Sequence, residues 1–151
     1  MNEEERLVFN AKIEEKWANE RKKWRSQLVP LYDGLSKDPT HLADIQSLML
    51  KYRHDLTEEI SMLLGDIAKQ SKYLKEKKKE RMENYMSGGS QVRFKTKGEM
   101  DIAISGDIAL AEQTVELLDI HMEFLRECRI SMDKLGYSVT NRLEIFKLIT
   151  Q

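Results

Sequence analysis

The residues best suited to chemistry in this sequence are cations that gather in one stretch. Between residues 69 and 97, ten lysines and arginines stand against three glutamates, so the segment carries +7. The whole chain carries −1 at pH 7, which leaves −8 for the remainder. Such charge segregation is a candidate footprint for a polyanion. The ten cations are Lys69, Lys72, Lys75, Lys77, Lys78, Lys79, Arg81, Arg93, Lys95 and Lys97.

Two aromatic residues, Tyr85 and Phe94, lie among these cations. Aromatic rings between cations are what a protein surface uses to stack the bases of a single strand. A flexible joint is predicted at Ser87-Gly88-Gly89-Ser90, then a short extended piece with one basic face over residues 92–97. A solvated helix face and an anionic membrane or protein partner are the alternatives. We predict nucleic-acid binding by Lys72, Lys75, Lys77, Lys78, Lys79, Arg81, Tyr85, Arg93, Phe94 and Lys95.

Motifs for catalysis and for metal binding are missing from the sequence. There is no glycine-rich phosphate loop followed by Lys-Ser/Thr, and no serine carries the nucleophile-elbow signature. The histidines His41, His54 and His121 are far apart, and none is paired with Cys or His at ligand spacing. Cys128 lies in an apolar stripe and is expected to be a small buried hydrophobe. We therefore expect no enzymatic activity, no cofactor and no metal site.

Length and composition favour one all-α domain of long amphipathic helices. The 151 residues amount to one domain's worth, and 40% of them are hydrophobic, which is enough for a core. Seven glycines and two prolines are too few for a disordered chain or a turn-rich all-β fold. No apolar run approaches about 18 residues, so we expect no membrane span. The single cysteine excludes an internal disulfide and suits a reducing, intracellular setting.

The first helix that must position these side chains is predicted over residues 6–29. The stretch contains no proline or glycine, and a stop is predicted at Pro30. One apolar face recurs at steps of four, four, seven and four, through Phe9, Ile13, Trp17, Trp24 and Leu28. The two tryptophans on this face are either a core stripe or a docking surface for a partner helix.

The second predicted helix carries the longest apolar pattern in the chain. Asp38 is expected to be its N-cap and Pro39 its first residue. The pattern alternates steps of three and four, as in a coiled coil or a long bundle helix, and would cover about 48 residues if it continued to Met86. Such a helix needs a neighbour, from this chain or from another copy. Its stripe is Leu42, Ile45, Met49, Tyr52, Leu56, Ile60, Leu63 and Ile67.

The C-terminal part is predicted as a long helix followed by a short one. A turn is expected at Ser105-Gly106-Asp107, a helix then runs to about Leu135, Gly136 stops it, and Ser138 caps the final helix. Two adjacent apolar stripes widen the face of the long helix, which indicates either the core of a monomeric bundle or a subunit interface. The expected segments, within one structural domain, are 1–35, 36–86, 87–106 and 107–151.

Short motifs along the chain occur in the order and spacing of a known family. They are Asp38-x-Thr40-x-Leu42, Lys79-x-Arg81 followed by Tyr85 and Ser87-Gly88, Lys97-x-Glu99-Met100, Ser105-x-Asp107 and Gly136-Tyr137. Together they resemble the UvsY family of recombination mediators from T-even-like bacteriophages, over roughly residues 38 to 149. Residues 1 to about 35 have no counterpart in that pattern.

The resemblance implies a non-catalytic protein of presynaptic recombination, in the cytoplasm of the infected bacterial host. Such mediators bind single-stranded DNA as closed homo-oligomers, here expected as a helical ring or barrel of six or seven subunits. They loosen the phage single-strand-binding protein from DNA and help the phage RecA-like recombinase to nucleate its filament. The family's DNA contact falls here on Lys79 and Arg81. Self-association through the C-terminal helices is expected to involve Val115, Leu118, Met122, Leu125 and Phe146.

A helical scaffold or assembly chaperone is the competing hypothesis. In it, the lysines merely keep a long coiled coil soluble, and partners bind the stripe from Phe9 to Leu28. It predicts oligomers without salt-sensitive DNA binding. The clustering of charge after residue 69 favours the mediator, because a scaffold does not need it.

Overall fold

Three long α-helices make up almost all of the protein. The computed structural model describes residues 1–36, 38–88 and 93–151. Helix α1 spans Glu3–Asp33 and is followed by a short 3-10 helix at Gly34–Ser36, helix α2 spans Pro39–Met86, and helix α3 spans Lys97–Ile149. No β-strand occurs in these described ranges, so the predicted all-α class is confirmed.

The chain divides into two compact units, each of which takes a piece of every helix. The first unit comprises residues 1–15 and 64–120, and the second comprises residues 16–63 and 121–151. These units cut across the four segments predicted from the sequence, because packing groups helix pieces that are distant in the chain. The expectation of one structural domain stays a prediction.

The second unit holds most of the apolar core. Trp17 and Trp24 of α1 are buried there, so they are core residues and not a docking surface. The stripe predicted for α2 faces inward, and it is covered by helices of the same chain. The buried apolar residues that α2 and α3 contribute to this unit are Leu42, Ile45, Met49, Leu56, Leu63, Met122, Leu125, Cys128, Met132, Leu135 and Val139.

A half-buried carboxylate joins all three helices of the second unit. Trp24 Nε1 of α1 donates a hydrogen bond of 2.8 Å to Glu59 Oε2 of α2, and His121 Nε2 of α3 lies 3.2 Å from Glu59 Oε1. The His121 ring is fully buried and stacks on Trp17, with 4.2 Å between the ring centroids. Burial raises the pKa of Glu59, but the hydrogen bonds from His121 and Trp24 outweigh it, and the pKa is lowered overall.

The first unit has a polar centre. Arg6 and Asn10 of α1 and Thr114 of α3 are all buried. Thr114 donates its hydroxyl hydrogen to Asn10 Oδ1, and Asn10 Nδ2 donates to the Leu110 carbonyl at 3.0 Å. Arg6 Nη1 donates to Thr114 Oγ1 at 3.4 Å and to Gln70 Oε1 of α2 at 3.2 Å. Because each of these buried groups finds a partner, the unit tolerates a polar interior.

Local chemistry explains where α2 begins, whereas packing decides how far α1 continues. Asp38 caps α2 as predicted, since its carboxylate accepts from the His41 amide at 2.9 Å, and Pro39 is the first helical residue. The stop predicted at Pro30 is wrong, because α1 continues to Asp33. Leu31 lies beyond the proline and is buried, so packing outweighs the one backbone hydrogen bond that Pro30 removes.

The predicted breaks in the C-terminal part are wrong, because α3 runs from Lys97 to Ile149 without interruption. Ile104 and Ile108 flank the expected turn, lie one helical turn apart and are both buried. Gly136 lies inside the helix, where an added Cβ would come within 3.5 Å of the Met49 methyl carbon. Ser138 does not cap a new helix, since its hydroxyl bonds back to the Lys134 carbonyl at 3.3 Å.

Helix α3 begins at a Thr96 N-cap that was not predicted from the sequence. Thr96 Oγ1 accepts from the Glu99 amide at 3.2 Å, and Glu99 Oε2 accepts from the Lys95 amide at 3.0 Å. No helix in the described ranges is long and apolar enough to cross a membrane.

A glycine-to-alanine series tests the continuity of α3. In Gly106→Ala the new methyl group meets no atom within 4 Å, so we expect about 0.5–1 kcal/mol of added stability, the gain of alanine over glycine inside a helix. Gly65→Ala, inside α2 and equally open, serves as the matched positive control. Gly88→Ala should destabilise, because Gly88 has φ of 72°. Urea unfolding followed by circular dichroism is the measurement. A Gly106→Ala variant that is less stable than the native protein would instead favour the turn predicted at Ser105-Gly106-Asp107.

Replacement of Glu59 by alanine tests the half-buried carboxylate. We expect a loss of about 1–3 kcal/mol for each buried donor left without its partner, on Trp24 and His121. Urea unfolding followed by tryptophan fluorescence measures this loss in the second unit, which contains both tryptophans. The exposed neighbour Glu58→Ala is the control and should stay within about 0.5 kcal/mol of the native protein.

The same pair of proteins tests the sign of the pH dependence. A carboxylate whose pKa is lowered by folding stabilises the folded state fully above its ordinary value of 4.5. That contribution disappears as the pH falls through the lower, folded-state pKa. The stability difference between native protein and Glu59→Ala should therefore be largest above pH 4.5 and shrink in more acidic buffer. A difference that grows with acid would contradict the assignment.

Candidate nucleic-acid interface

The predicted cations of α2 divide into an outward set and an inward set. The outward set is exposed and comprises Lys72, Lys75, Lys78 and Lys79. Lys77 and Arg81 are half-buried and form the inward set. Successive residues of a helix are about 100° apart, so residues two positions apart point to nearly opposite sides. The Lys79-x-Arg81 motif therefore places its two cations in different environments.

The outward lysines are only weakly paired with carboxylates. Lys72 lies 3.9 Å from Glu76 and Lys79 lies 3.8 Å from Glu83, both one helical turn ahead. All four side chains are mostly exposed, and such pairs contribute only about 0–1 kcal/mol. A phosphate can therefore displace these glutamates from the lysines at small cost.

The inward cations meet Arg6 and Tyr73 around a cavity of about 340 Å³ in the first unit. The Arg6 guanidinium lies 4.7 Å from the Tyr73 ring centroid, and Lys77 Nζ lies 3.4 Å from the Tyr73 hydroxyl. Arg81 and Asp107 also line the cavity. We call this site, defined by Arg6, Tyr73, Lys77 and Arg81, the arginine pocket.

Two observations show that the arginine pocket is electropositive. Burial raises the pKa of Tyr73, but Arg6 and Lys77 beside the hydroxyl outweigh burial and lower the pKa below its ordinary value. Arg81 Nε is buried and has no hydrogen-bond partner in the described part of the chain. The pocket thus contains cationic donors that the protein itself does not fully satisfy.

The two aromatic residues of the basic segment are brought together. The rings of Tyr85 and Phe94 meet edge to face, with 5.0 Å between centroids. The Tyr85 hydroxyl donates to Asp107 Oδ2, and this bond, helped by partial burial, raises the pKa of Tyr85 because it stabilises the neutral phenol. Both rings remain half-exposed, so each keeps some surface on which a base can stack.

The connection between α2 and α3 is only partly described. Arg93 and Lys95 are exposed, and Lys97 belongs to α3 and not to the extended piece predicted over 92–97. Gly89 and Ser90 of the predicted joint lie outside the described residues, as does Val92. The flexible basic joint predicted over 87–106 is therefore shortened, since residues 97–106 are helical.

The residues assigned to self-association have different surroundings. Leu118, Met122 and Leu125 are 3%, 3% and 0% exposed, so they pack inside a single chain. Val115 and Phe146 are half-buried. A role for the five residues in self-association stays a prediction.

Sequence reasoning missed Arg6 and Tyr73, although a signal for Arg6 was present. Moving towards the N-terminus from Trp17 by four, three and four residues leads to Ile13, Asn10 and Arg6. The buried face of α1 thus continues into polar residues, and an apolar-only search ends too early. For Tyr73 the sequence carries no such signal, because its role comes from Arg6, a residue far away in the chain.

The histidines and the cysteine singled out in the sequence are the remaining candidate groups. Among residues 1–36, 38–88 and 93–151, no three His, Cys, Asp or Glu side chains are grouped to hold a metal ion. Cys128 is buried, and burial raises the pKa of its thiol to about 11. It therefore stays protonated and behaves as the small hydrophobe expected from the sequence.

No family model, curated protein or solved structure matches this chain. The resemblance to the UvsY family therefore stays a prediction that depends on the short motifs of the sequence.

Exchange of Asp107 for asparagine tests the geometry around Tyr85. The variant loses the carboxylate that holds the phenol proton, so the pKa of Tyr85 should fall toward its ordinary value of 10.0. The measurement is a pH titration of ¹³C-labelled tyrosine by NMR, with Tyr85→Phe identifying the signal. The signal of Tyr73 should keep its own titration in the variant, and an unchanged Tyr85 curve would contradict the contact.

Proposed function

We propose that this chain is a phage recombination mediator. It binds single-stranded DNA, weakens the hold of the single-strand-binding protein and promotes loading of a RecA-like recombinase, without catalysing a reaction. The observation that carries the proposal is the exposed outward set on α2. Charge that is segregated in the sequence stays accessible in the fold, as a polyanion-binding surface requires.

The outward lysines are suited to phosphates and not to bases. Lysine contacts phosphate as a flexible point charge, and no residue of the set is fixed so as to read a base edge. We therefore expect binding that does not depend on sequence and that weakens steeply with salt. Arg93 and Lys95, exposed beyond the end of α2, extend the set of phosphate contacts in this proposal.

The Tyr85–Phe94 pair supports a preference for single strands. A base in a duplex is already stacked and paired, so only an unpaired base is free to stack on a protein ring. Each such stacking contact is worth about 1–3 kcal/mol. Since the two rings already touch each other, they offer one shared platform, and one base per subunit is the expected load.

Self-association would multiply these weak contacts. Linked sites on one strand gain affinity through effective concentration, without any new contact. Apolar side chains remain exposed near the end of α3 and offer a surface for a second copy, in the proposed ring of six or seven subunits. They are Tyr137, Ile145, Leu148 and Ile149.

The mediator step follows from holding one strand at several points. A strand fixed by its phosphates on successive subunits cannot follow the path that the single-strand-binding protein imposes on it. The same strand presents a run of bases to the recombinase. The mediator would thus compete with the single-strand-binding protein for the same DNA strand, and it would catalyse no reaction.

The double variant Lys79→Ala/Arg81→Ala tests the proposal. Removal of each phosphate-binding cation should reduce the slope of log K against log salt by about 0.7, and affinity for a labelled single strand should fall at low salt. Fluorescence anisotropy across a salt series gives both quantities. The matched control is Lys12→Ala/Lys22→Ala, which removes two exposed lysines of α1 and should leave both unchanged.

Light scattering and circular dichroism must show that the double variant keeps its fold and assembly, because Arg81 is half-buried. An unaltered slope in a folded double variant would remove Lys79 and Arg81 from the interface. Absence of any DNA binding by the native oligomer would favour the scaffold, for which the exposed apolar residues of α3 are the specific observation.

A further inference from the structure

The arginine pocket contains a buried cation that has no anionic partner among the described residues. Arg6 is only 6% exposed, yet no carboxylate in the described chain lies within 4.0 Å of its nitrogens. Two hydrogen bonds leave from its Nη1 and go to neutral oxygens, on Gln70 and Thr114, and its other polar neighbour is the Tyr73 phenol. A buried cation without a counterion is costly, and such groups are normally paired.

Arg81 repeats the same pattern from the other helix. Its Nε is buried without a hydrogen-bond partner, and no carboxylate forms an ion pair with it in the described residues. Asp107 also lines the pocket, but it is not within ion-pair distance of Arg81, and its Oδ2 accepts the Tyr85 hydroxyl. Two arginines and Lys77 therefore face one cavity, against the carboxylates of Asp107 and Glu3.

The donors of the pocket match the chemistry of a phosphate group. Guanidinium groups present N–H donors in a planar fork that fits the oxygens of phosphate, and lysine adds a compact charge. The Tyr73 hydroxyl supplies a further polar contact at the cavity wall. The volume of about 340 Å³ lies at the lower end of small-molecule sites, which run from about 300 to 1,000 Å³.

We propose that the arginine pocket binds one phosphate group, held by Arg6, Lys77 and Arg81. The group belongs either to a nucleotide of a bound strand or to a free phosphate ester. In the first case the proposal deepens the proposed function, and it rests on that function. In the second case it stands by itself. The site depends on α1, the region that has no counterpart in the family pattern.

The arginine pocket differs from the outward lysines in what it can distinguish. Exposed lysines respond to the charge density of a strand, and at 0.1 M salt their attraction to phosphates is largely screened beyond about 10 Å. The half-buried pocket is screened less, and its Arg6 guanidinium is held by Gln70, Thr114 and the Tyr73 ring. One phosphate held there would fix the register of a strand that the lysines alone would let slide.

NMR of arginine Nε–Hε groups in the full chain tests the proposal without a substitution. Inorganic phosphate is titrated at constant ionic strength, with chloride as the replaced anion. We expect the signals of Arg6 and Arg81 to shift together and to saturate. Arg93, which is exposed, should show at most a small linear drift. A shared linear drift of all three signals would overturn the proposal.

Lys77→Gln and Lys75→Gln are the matched variants. Both remove one lysine charge from α2, but only Lys77 lines the pocket. Phosphate affinity should fall about tenfold in Lys77→Gln, since the variant lacks one charge-assisted hydrogen bond of about 1.4 kcal/mol, and should not change in Lys75→Gln. Equal affinity in both variants would overturn the site.

Competition with an oligothymidine strand separates the two sources of phosphate. If phosphate displaces the strand from the Arg81 signal, the group bound is a strand phosphate. If phosphate binds with the same affinity whether or not the strand is present, the pocket takes a free phosphate ester. If the protein binds phosphate saturably but binds no strand, the phosphate site is supported and the proposed function fails. If it binds the strand but not phosphate, the proposed function survives and the phosphate site fails.

Discussion

The Glu59 carboxylate is the group on which the second unit depends. Each of its oxygens meets a different helix, Trp24 on one side and His121 on the other. A helix with an apolar stripe at steps of three and four can pack against almost any similar stripe. Two such helices can also pack after one has shifted by a helical turn along the other. A half-buried carboxylate with two specific donors does not tolerate such a shift, because any slip leaves the charge and both donors unpaired. The network therefore favours the observed register over a slipped one.

The first unit applies the same principle with less apolar surface. Its centre is the set of bonds among Arg6, Asn10 and Thr114, with Gln70 contributed by α2. Polar groups fix the alignment of the helix pieces there, and they leave a cationic side chain facing a cavity. An apolar centre would align the pieces less strictly and would provide no donor. In this unit, the residues that specify the fold are also those that form the candidate site.

Helix class and most of the buried stripe could be predicted from the sequence, because periodicity records burial directly. The start of α2, with Asp38 as cap and Pro39 as first residue, followed from local capping rules. The breaks expected at residues 105–107, Gly136 and Ser138 failed because turn residues are weak signals when buried neighbours continue on both sides. The arginine pocket lay outside prediction for another reason. Arg6 and Tyr73 are 67 positions apart in the numbering, and no local pattern relates them.

The division of cations on α2 also gives the Lys-x-Arg motif a physical meaning. Two cations at this spacing cannot both lie on one face of a helix, since they are about 200° apart. Lysine occupies the exposed position, where, in the proposed interface, a long flexible ammonium group would follow a moving phosphate at little cost. Arginine occupies the half-buried position, where a planar fork held by its surroundings loses less entropy on binding. Exchanging the two residue types would preserve the charge and place each in the environment that suits it least.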